Sequence, residues 1–229
     1  MIALKPVVLP RTTVTGSVVT HLRGEIFAGR LQPGEALPEA RIGELLGVSR
    51  APVREALTLL EREGLVAFDR RGTARVCVLG LDDVKELGLM RFALEPVAAR
   101  LACERWKHGG YGIEANVQEL NRAKSLVDVT RLDVEFHRLI LLASGNRRLL
   151  LAWEELAGQF LLVMTRFHQT IEHRTRKVRE STHRCHVELV AGLASGDPAR
   201  AEALAREHAT GWLAQLEELD AFKTRGEDR

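Results

Sequence analysis

The chain has 229 residues, 45% of them hydrophobic and 28% charged, with a formal net charge of +2. That balance describes an ordinary globular chain and excludes a wholly disordered one. No apolar run reaches the roughly 18 residues that a membrane-spanning helix needs; the longest candidate, 149–164, is broken by Glu154, Glu155 and Gln159.

The opening MIALKPVVLP lacks a long apolar core followed by a small-residue cleavage site, so no secretory signal is expected. Cys77, Cys103 and Cys185 lie far apart with no C-x-x-C pair. They form neither a disulfide framework nor a zinc knuckle, which points to the reducing cytosol. The small net charge hides an asymmetry: residues 1–80 hold 11 basic and 8 acidic side chains, and the remainder holds 22 and 23. A basic excess in the N-terminal part permits a polyanionic partner there without establishing one.

From Val14 to Gly29, apolar residues at Val18, Val19, Leu22, Ile26 and Phe27 have helical spacing, and Pro33-Gly34 supplies a turn. A short helix fits Glu39 to Leu46, ended by Gly47, which tolerates the left-handed conformation of a helix end. Ser49 then has the character of an N-cap for a third helix running to about Glu63, with Pro52 in its first turn. After Gly64, two β-prone runs flank Asp69-Arg70-Arg71-Gly72 and predict a hairpin.

Three helices and a hairpin, with a tight link between the second and third helices, define a winged helix-turn-helix. Arg50 and Arg54, at i and i+4, share a helix face, and an arginine fork can bond a guanine edge twice. Ser49 and the helix N-terminus would favour a phosphate. Two arginines on a helix describe a solvated surface equally well; the order of the elements is what favours a DNA-binding module.

The stretch LRGEIFAGRLQPGEALPEARIGELLGVSRAPVREALTLLEREGLVAFDRRGTARV closely resembles the DNA-binding domain of GntR-family transcription regulators, over roughly residues 15–79. The resemblance implies recognition-helix contacts at Ser49, Arg50, Ala51 and Arg54. It also implies a wing, Arg70 and Arg71 with Gly72 at its tip, that enters the minor groove. Two departures stand out. Ile42-Gly43 replaces the usual Leu-Ala, and Gly43 is expected to weaken its helix by about 1 kcal/mol. Ala40 occupies a place where some members carry a basic contact.

Beyond Leu81 the periodicity is helical almost to the end, with helices expected near 81–107, 113–127, 130–143, 146–172, 175–195 and 197–220. The breaks fall at Gly109-Gly110, Val127–Thr130, Ser144-Gly145-Asn146, His173–Thr175 and Ser195-Gly196-Asp197-Pro198. In the last of these Asp197 is the N-cap and Pro198 the first helical residue. Residues 146–195 also fit one kinked helix. The expected architecture is therefore mainly α: a winged helix-turn-helix with a small β-hairpin over 1–80, then an all-α bundle of six or seven helices over 81–229.

Within the bundle, Asp133 and His137 (i, i+4) share a face among Leu132, Phe136, Leu139 and Ile140. His186 precedes the Asp197 turn by 11 residues and His208 follows it by 11. An antiparallel helix pair would bring both to one level, roughly 16 Å from the turn. One carboxylate and three imidazoles at one depth suit zinc, nickel or another divalent transition metal. The plainer alternative is an Asp-His hydrogen bond and two packed histidines. His168, His173 and His183 lack that symmetry and are read as surface or hinge residues.

The segments LMRFALEPVAARLACER, DVEFHRLILLASGNRRL and HVELVAGLASGDPARAEALAREH resemble the FCD ligand-binding domain that accompanies one large GntR branch, over about residues 85–215. By that resemblance Asp133, His137, His186 and His208 match the ligands of metal-binding members, with Cys185 where an acidic residue commonly precedes the third ligand. Six helices would match the vanillate-regulator-like subgroup. The expected protein is a homodimeric regulator, acting on a pseudo-palindromic double-stranded operator, most simply as a repressor, and responding to a small organic acid. Arg91 is the candidate second contact for the acid's carboxylate, and an intrahelical pair with Glu95 is its alternative. A bundle that only dimerises is a second possibility. A metal-dependent hydrolase is disfavoured, because four candidate ligands leave no open position and no H-E-x-x-H, G-x-S-x-G or Walker pattern occurs.

Overall fold

The computed structural model describes residues 13–106 and 110–218. Its internal contacts divide the chain into two units, Met1–Leu79 and Gly80–Arg229. Gly109 and the predicted helix ends at 107 and 220 lie outside the described residues.

The first unit holds α1 (Val14–Phe27), α2 (Glu39–Leu46), α3 (Arg50–Arg62), β1 (Val66–Phe68) and β2 (Ala74–Val76). Val18, Val19, Leu22 and Ile26 of the predicted α1 spacing are buried, Phe27 only partly, and α1 packs on α3, whose Val53, Leu57 and Leu60 are buried together with Ile42 of α2. Arg23 on α1 donates to both carboxylate oxygens of Glu63, at 3.0 and 2.6 Å, and ties α1 to the end of α3. Gly47 closes α2 in the left-handed region, at φ 66°. Gly43, expected only to weaken its helix, has a packing reason. A Cβ there would meet the Val48 carbonyl oxygen at 2.8 Å, so the chain turns into α3 against bare backbone.

β1 and β2 pair antiparallel, Val66 opposite Val76 and Phe68 opposite Ala74. Asp69 holds the intervening turn: its Oδ1 accepts from the backbone N–H of Arg71 and Thr73, and its Oδ2 from the Arg75 guanidinium. Gly72 takes φ 74° at the tip.

The second unit is a bundle of α4 (Leu81–Arg105), α5 (Ile113–Arg122), α6 (Leu126–Ala143), α7 (Arg147–Thr175), α8 (Val178–Ala194) and α9 (Pro198–Glu218). The boundary predicted at 127–130 lies earlier. α5 ends at Arg122 and α6 begins at Leu126, because Ser125 caps it: Ser125 Oγ accepts from Asp128 N at 3.1 Å and donates to Asp128 Oδ2 at 2.6 Å. Residues 146–195 are two helices, separated where Arg176 enters the left-handed region at φ 55°. Asp197 caps α9 as predicted, its Oδ1 accepting from Ala199 N and Arg200 N, both at 3.1 Å. Among the described residues no helix is long and apolar enough to cross a membrane.

Trp153, Phe136 and Phe160 are the largest fully buried side chains of the bundle. Phe136 lies flat against the His186 ring, centroids 3.7 Å apart and planes at 8°. Phe136→Ala should destabilise the bundle by about 3–5 kcal/mol, the usual cost of emptying an aromatic core position. Urea unfolding followed by circular dichroism checks this, and a loss below 1 kcal/mol would show that Phe136 is not a core residue.

Candidate nucleic-acid interface and metal centre

In the first unit the structure sets the predicted DNA-facing residues in two exposed groups. Ser49, Arg50, Ala51 and Arg54 are exposed on the N-terminal half of α3, on the side away from Val53, Ala56 and Leu57. Ser49 occupies the N-cap with extended backbone, and its side chain makes no capping hydrogen bond. Arg70, Arg71 and Gly72 form the exposed hairpin tip. Sequence reasoning missed Glu39: Arg54 is paired with it through two hydrogen bonds, at 2.8 and 3.0 Å.

In the second unit the bundle brings Asp133 and His137 of α6, His186 of α8 and His208 of α9 together. The ligand atoms of the three histidines lie within 4.8 Å of one another. Asp133 Oδ1 is 3.0 Å from His186 Nε2 and 3.9 Å from His137 Nε2, adjoining that group without belonging to its most compact part. Although His186 Nε2 is so close to Asp133, neither of its ring nitrogens has hydrogen-bond geometry to a partner, nor does Asp133 Oδ2. The buried His186 ring nitrogens and Asp133 Oδ2, left without partners, carry a desolvation cost that a cation would offset. The arrangement therefore fits a divalent ion, with His137, His186, His208 and Asp133 as its holders.

The surroundings prepare those ligands. Glu95 Oε2 lies 3.1 Å from His137 Nδ1, the carboxylate–imidazole pairing that fixes ring orientation, while the other nitrogen, Nε2, faces Arg91 Nη2 and would exchange that contact for a metal. Arg91, fully buried, donates to Glu95 Oε1 at 2.6 Å and Oε2 at 3.2 Å, and its Nη2 is 3.0 Å from His137 Nε2. The intrahelical Arg91–Glu95 pair is thus realised, and Arg91 still lines the cavity beside the histidines.

His168 corrects an expectation. Read as a surface or hinge residue, it is 2% exposed because its turn of α7 faces the bundle interior. Thr130 Oγ1 lies 2.9 Å from Leu126 O and 2.8 Å from His168 Nδ1, and His168 Nε2 faces Asp133 Oδ2 at 3.8 Å. A lone histidine outside the symmetric pattern gave no sequence signal for this.

Burial opposes charge on Asp133 and Glu95, yet neighbouring histidines, and Arg91 beside Glu95, hold both carboxyls well below the usual range. Burial pushes His186 down to about 4 and His208 well below its ordinary value. At neutral pH the site therefore presents carboxylates beside neutral His186 and His208, the protonation state that metal binding needs of those groups. The linkage has a definite sign. His186 takes its proton near pH 6.5 when unfolded and only near 4 when folded, so between these values the unfolded chain holds more protons. In chelator-treated protein, bundle stability should be full above pH 6.5 and lower by on the order of 3 kcal/mol at pH 4. Urea midpoints across that range that do not move would contradict a neutral buried His186.

A cavity of about 320 Å³ opens onto this cluster, lined by Arg91, Asp133, His137, His168, Cys185 and His208 among others. A depression of about 660 Å³ along α9 is larger, but its lining comes from that helix alone, with no opposing wall to enclose a ligand. The smaller cavity, walled by several helices, has the size and convergent polar groups of a small-molecule site.

An exposed basic helix and wing, joined in sequence to a helical bundle, define a DNA-binding transcription regulator. The chain belongs to the GntR family: the model for bacterial regulatory proteins of the gntR family matches residues 15–76, and that for the FCD domain matches residues 86–211. It is 29% identical over 208 residues to a Paenarthrobacter nicotinovorans protein described as "Probable D-xylose utilization operon transcriptional repressor", 90% of this chain and 89% of that one. It is 34% identical to the Bacillus subtilis HTH-type transcriptional regulator YdhC over 134 residues, 56% of this chain and 60% of that one. A solved GntR transcriptional regulator from Rhodococcus sp. RHA1 superposes with a TM-score of 0.73 at 25% identity, over 90% of this chain and 99% of that one. These relatives are described as transcriptional regulators.

Proposed function

We propose that this regulator is a cytoplasmic repressor whose bundle holds a divalent transition metal and a small organic acid, and whose operator affinity changes when the acid binds. The single observation that carries this reading is the convergence of His137, His186, His208 and Asp133, with the His186 ring nitrogens and Asp133 Oδ2 lacking partners, beside a cavity that Asp133, His137 and His208 line. Three imidazoles and one carboxylate suit zinc, with nickel the nearest competitor. Such an ion, by expanding its coordination beyond the four protein ligands, would supply a Lewis-acidic position for an effector's carboxylate oxygen. The chain's own residues do the rest. Glu95 orients His137, Phe136 fixes the His186 ring, and Arg91 adds positive charge to the cavity wall for a second carboxylate contact.

Two copies of the chain, each reading one half-site, would give the symmetry of a pseudo-palindromic operator. Regulation then requires the acid to bind the DNA-competent and DNA-incompetent states with different affinity. Elemental analysis of protein purified without chelators tests the core of the reading. One divalent ion per chain is expected, in a species sedimenting at twice the 25.5 kDa chain mass. Metal-free protein that cannot be loaded by added zinc or nickel would leave a bundle that only dimerises.

A further inference from the structure

Arg54 does not stand alone on the exposed face of α3. Its Nε donates to Glu39 Oε1 at 2.8 Å and its Nη2 to Glu39 Oε2 at 3.0 Å, joining α3 to the first residue of α2. The two partners differ in exposure: the Glu39 side chain is 16% exposed and that of Arg54 70%. Arg50, one turn earlier on the same face, also acts on this carboxylate, which Arg54 and Arg50 together hold below its usual range.

The donor inventory fixes what remains for a ligand. A guanidinium carries five N–H groups in a rigid fork. Glu39 takes the Nε–H and one N–H of Nη2, the side-on edge. The end-on edge, with parallel N–H groups on Nη1 and Nη2, is turned away from the carboxylate. That edge matches the O6 and N7 acceptors of guanine in the major groove.

We infer that Glu39 is a specificity-determining positioning residue that holds Arg54 side-on, so that one rigid fork faces a guanine edge. It also neutralises the charge with which a loose arginine would seek any phosphate. This rests on the reading of Arg54 as a base contact. Glu39 has a second, separate benefit at the start of α2, where a carboxylate complements the helix dipole. Stability alone therefore does not diagnose its role, whereas base preference does.

The probe is a pool of DNA duplexes randomised over a half-site, from which the full-length protein selects its preferred sequences. Wild type, Glu39→Gln, Arg54→Ala and the double variant are compared by affinity for the best selected duplex and for an unrelated one. Glu39→Gln should lose about tenfold or more for the selected duplex and relax the preference at one guanine. It should bind the unrelated duplex more tightly, with a steeper salt dependence, because Arg54 then engages phosphate. In the Arg54→Ala background the Glu39 substitution should no longer change base preference. An unchanged sequence profile in Glu39→Gln, or an equal gain on every duplex, overturns the positioning role. If Arg54→Ala itself keeps the wild-type profile, the base-contact reading fails first and the inference falls with it.

Discussion

Arg54→Ala should remain folded and lose on the order of 10- to 100-fold in affinity for the selected operator, the discrimination that one bidentate arginine–guanine pair supplies. Folding should be spared because the side chain projects outward from α3 and the helix is held by Val53, Leu57 and Leu60 on its other face. The loss should concentrate at one base position. A phosphate-contacting arginine, by contrast, would weaken all sequences evenly and flatten the salt dependence. Fluorescence anisotropy at several salt concentrations, with near-identical circular dichroism melts for the two proteins, checks both parts. Wild-type affinity in a folded Arg54→Ala protein would place the recognition surface elsewhere on the first unit.

The second large effect belongs to the bundle. His186→Ala/His208→Ala removes two of three converging imidazoles, and should abolish both metal content and effector response while leaving basal DNA binding largely intact. The winged helix has a core of its own, from Val18 to Leu60, to which neither histidine contributes. Metal bound only by the native state stabilises it by mass action, so a chelator should lower the melting temperature of wild type. In the double variant the same treatment should do nothing. Because His186 is fully buried against Phe136, its truncation also leaves a cavity. His186→Gln/His208→Gln, which retains more of the side-chain volume, separates lost packing from lost ligation. Effector-driven DNA release that survives in metal-free double variant would reduce these histidines to packing residues.

Much of this was legible in the residues because it depends on local chemistry. Helix periods, the Gly47 turn, the Asp197-Pro198 start and the hairpin around Gly72 are dictated within a few residues of themselves. So was the facing of His186 and His208, since equal spacing from one turn leaves two antiparallel helices little choice of register. The start of α6 was misplaced for an equally local reason. The Ser125–Asp128 cap gives a weaker signal than a proline or glycine, and the apolar run beginning at Leu126 reads as a continuation of α5.

What the sequence determined alone, then, is the winged helix, its exposed arginines and the four residues proposed as ligands, because spacing along a helix fixes which side chains share a face. Only the tertiary structure decided how those faces are furnished. Glu39 meets Arg54 from 15 positions away, and His168 turns inward to Asp133. Glu95 serves Arg91 and His137 at once, although the sequence offered it only as an intrahelical partner. A buried charge must find its counter-charge wherever packing brings one, and packing joins residues whose separation along the chain carries no period to read.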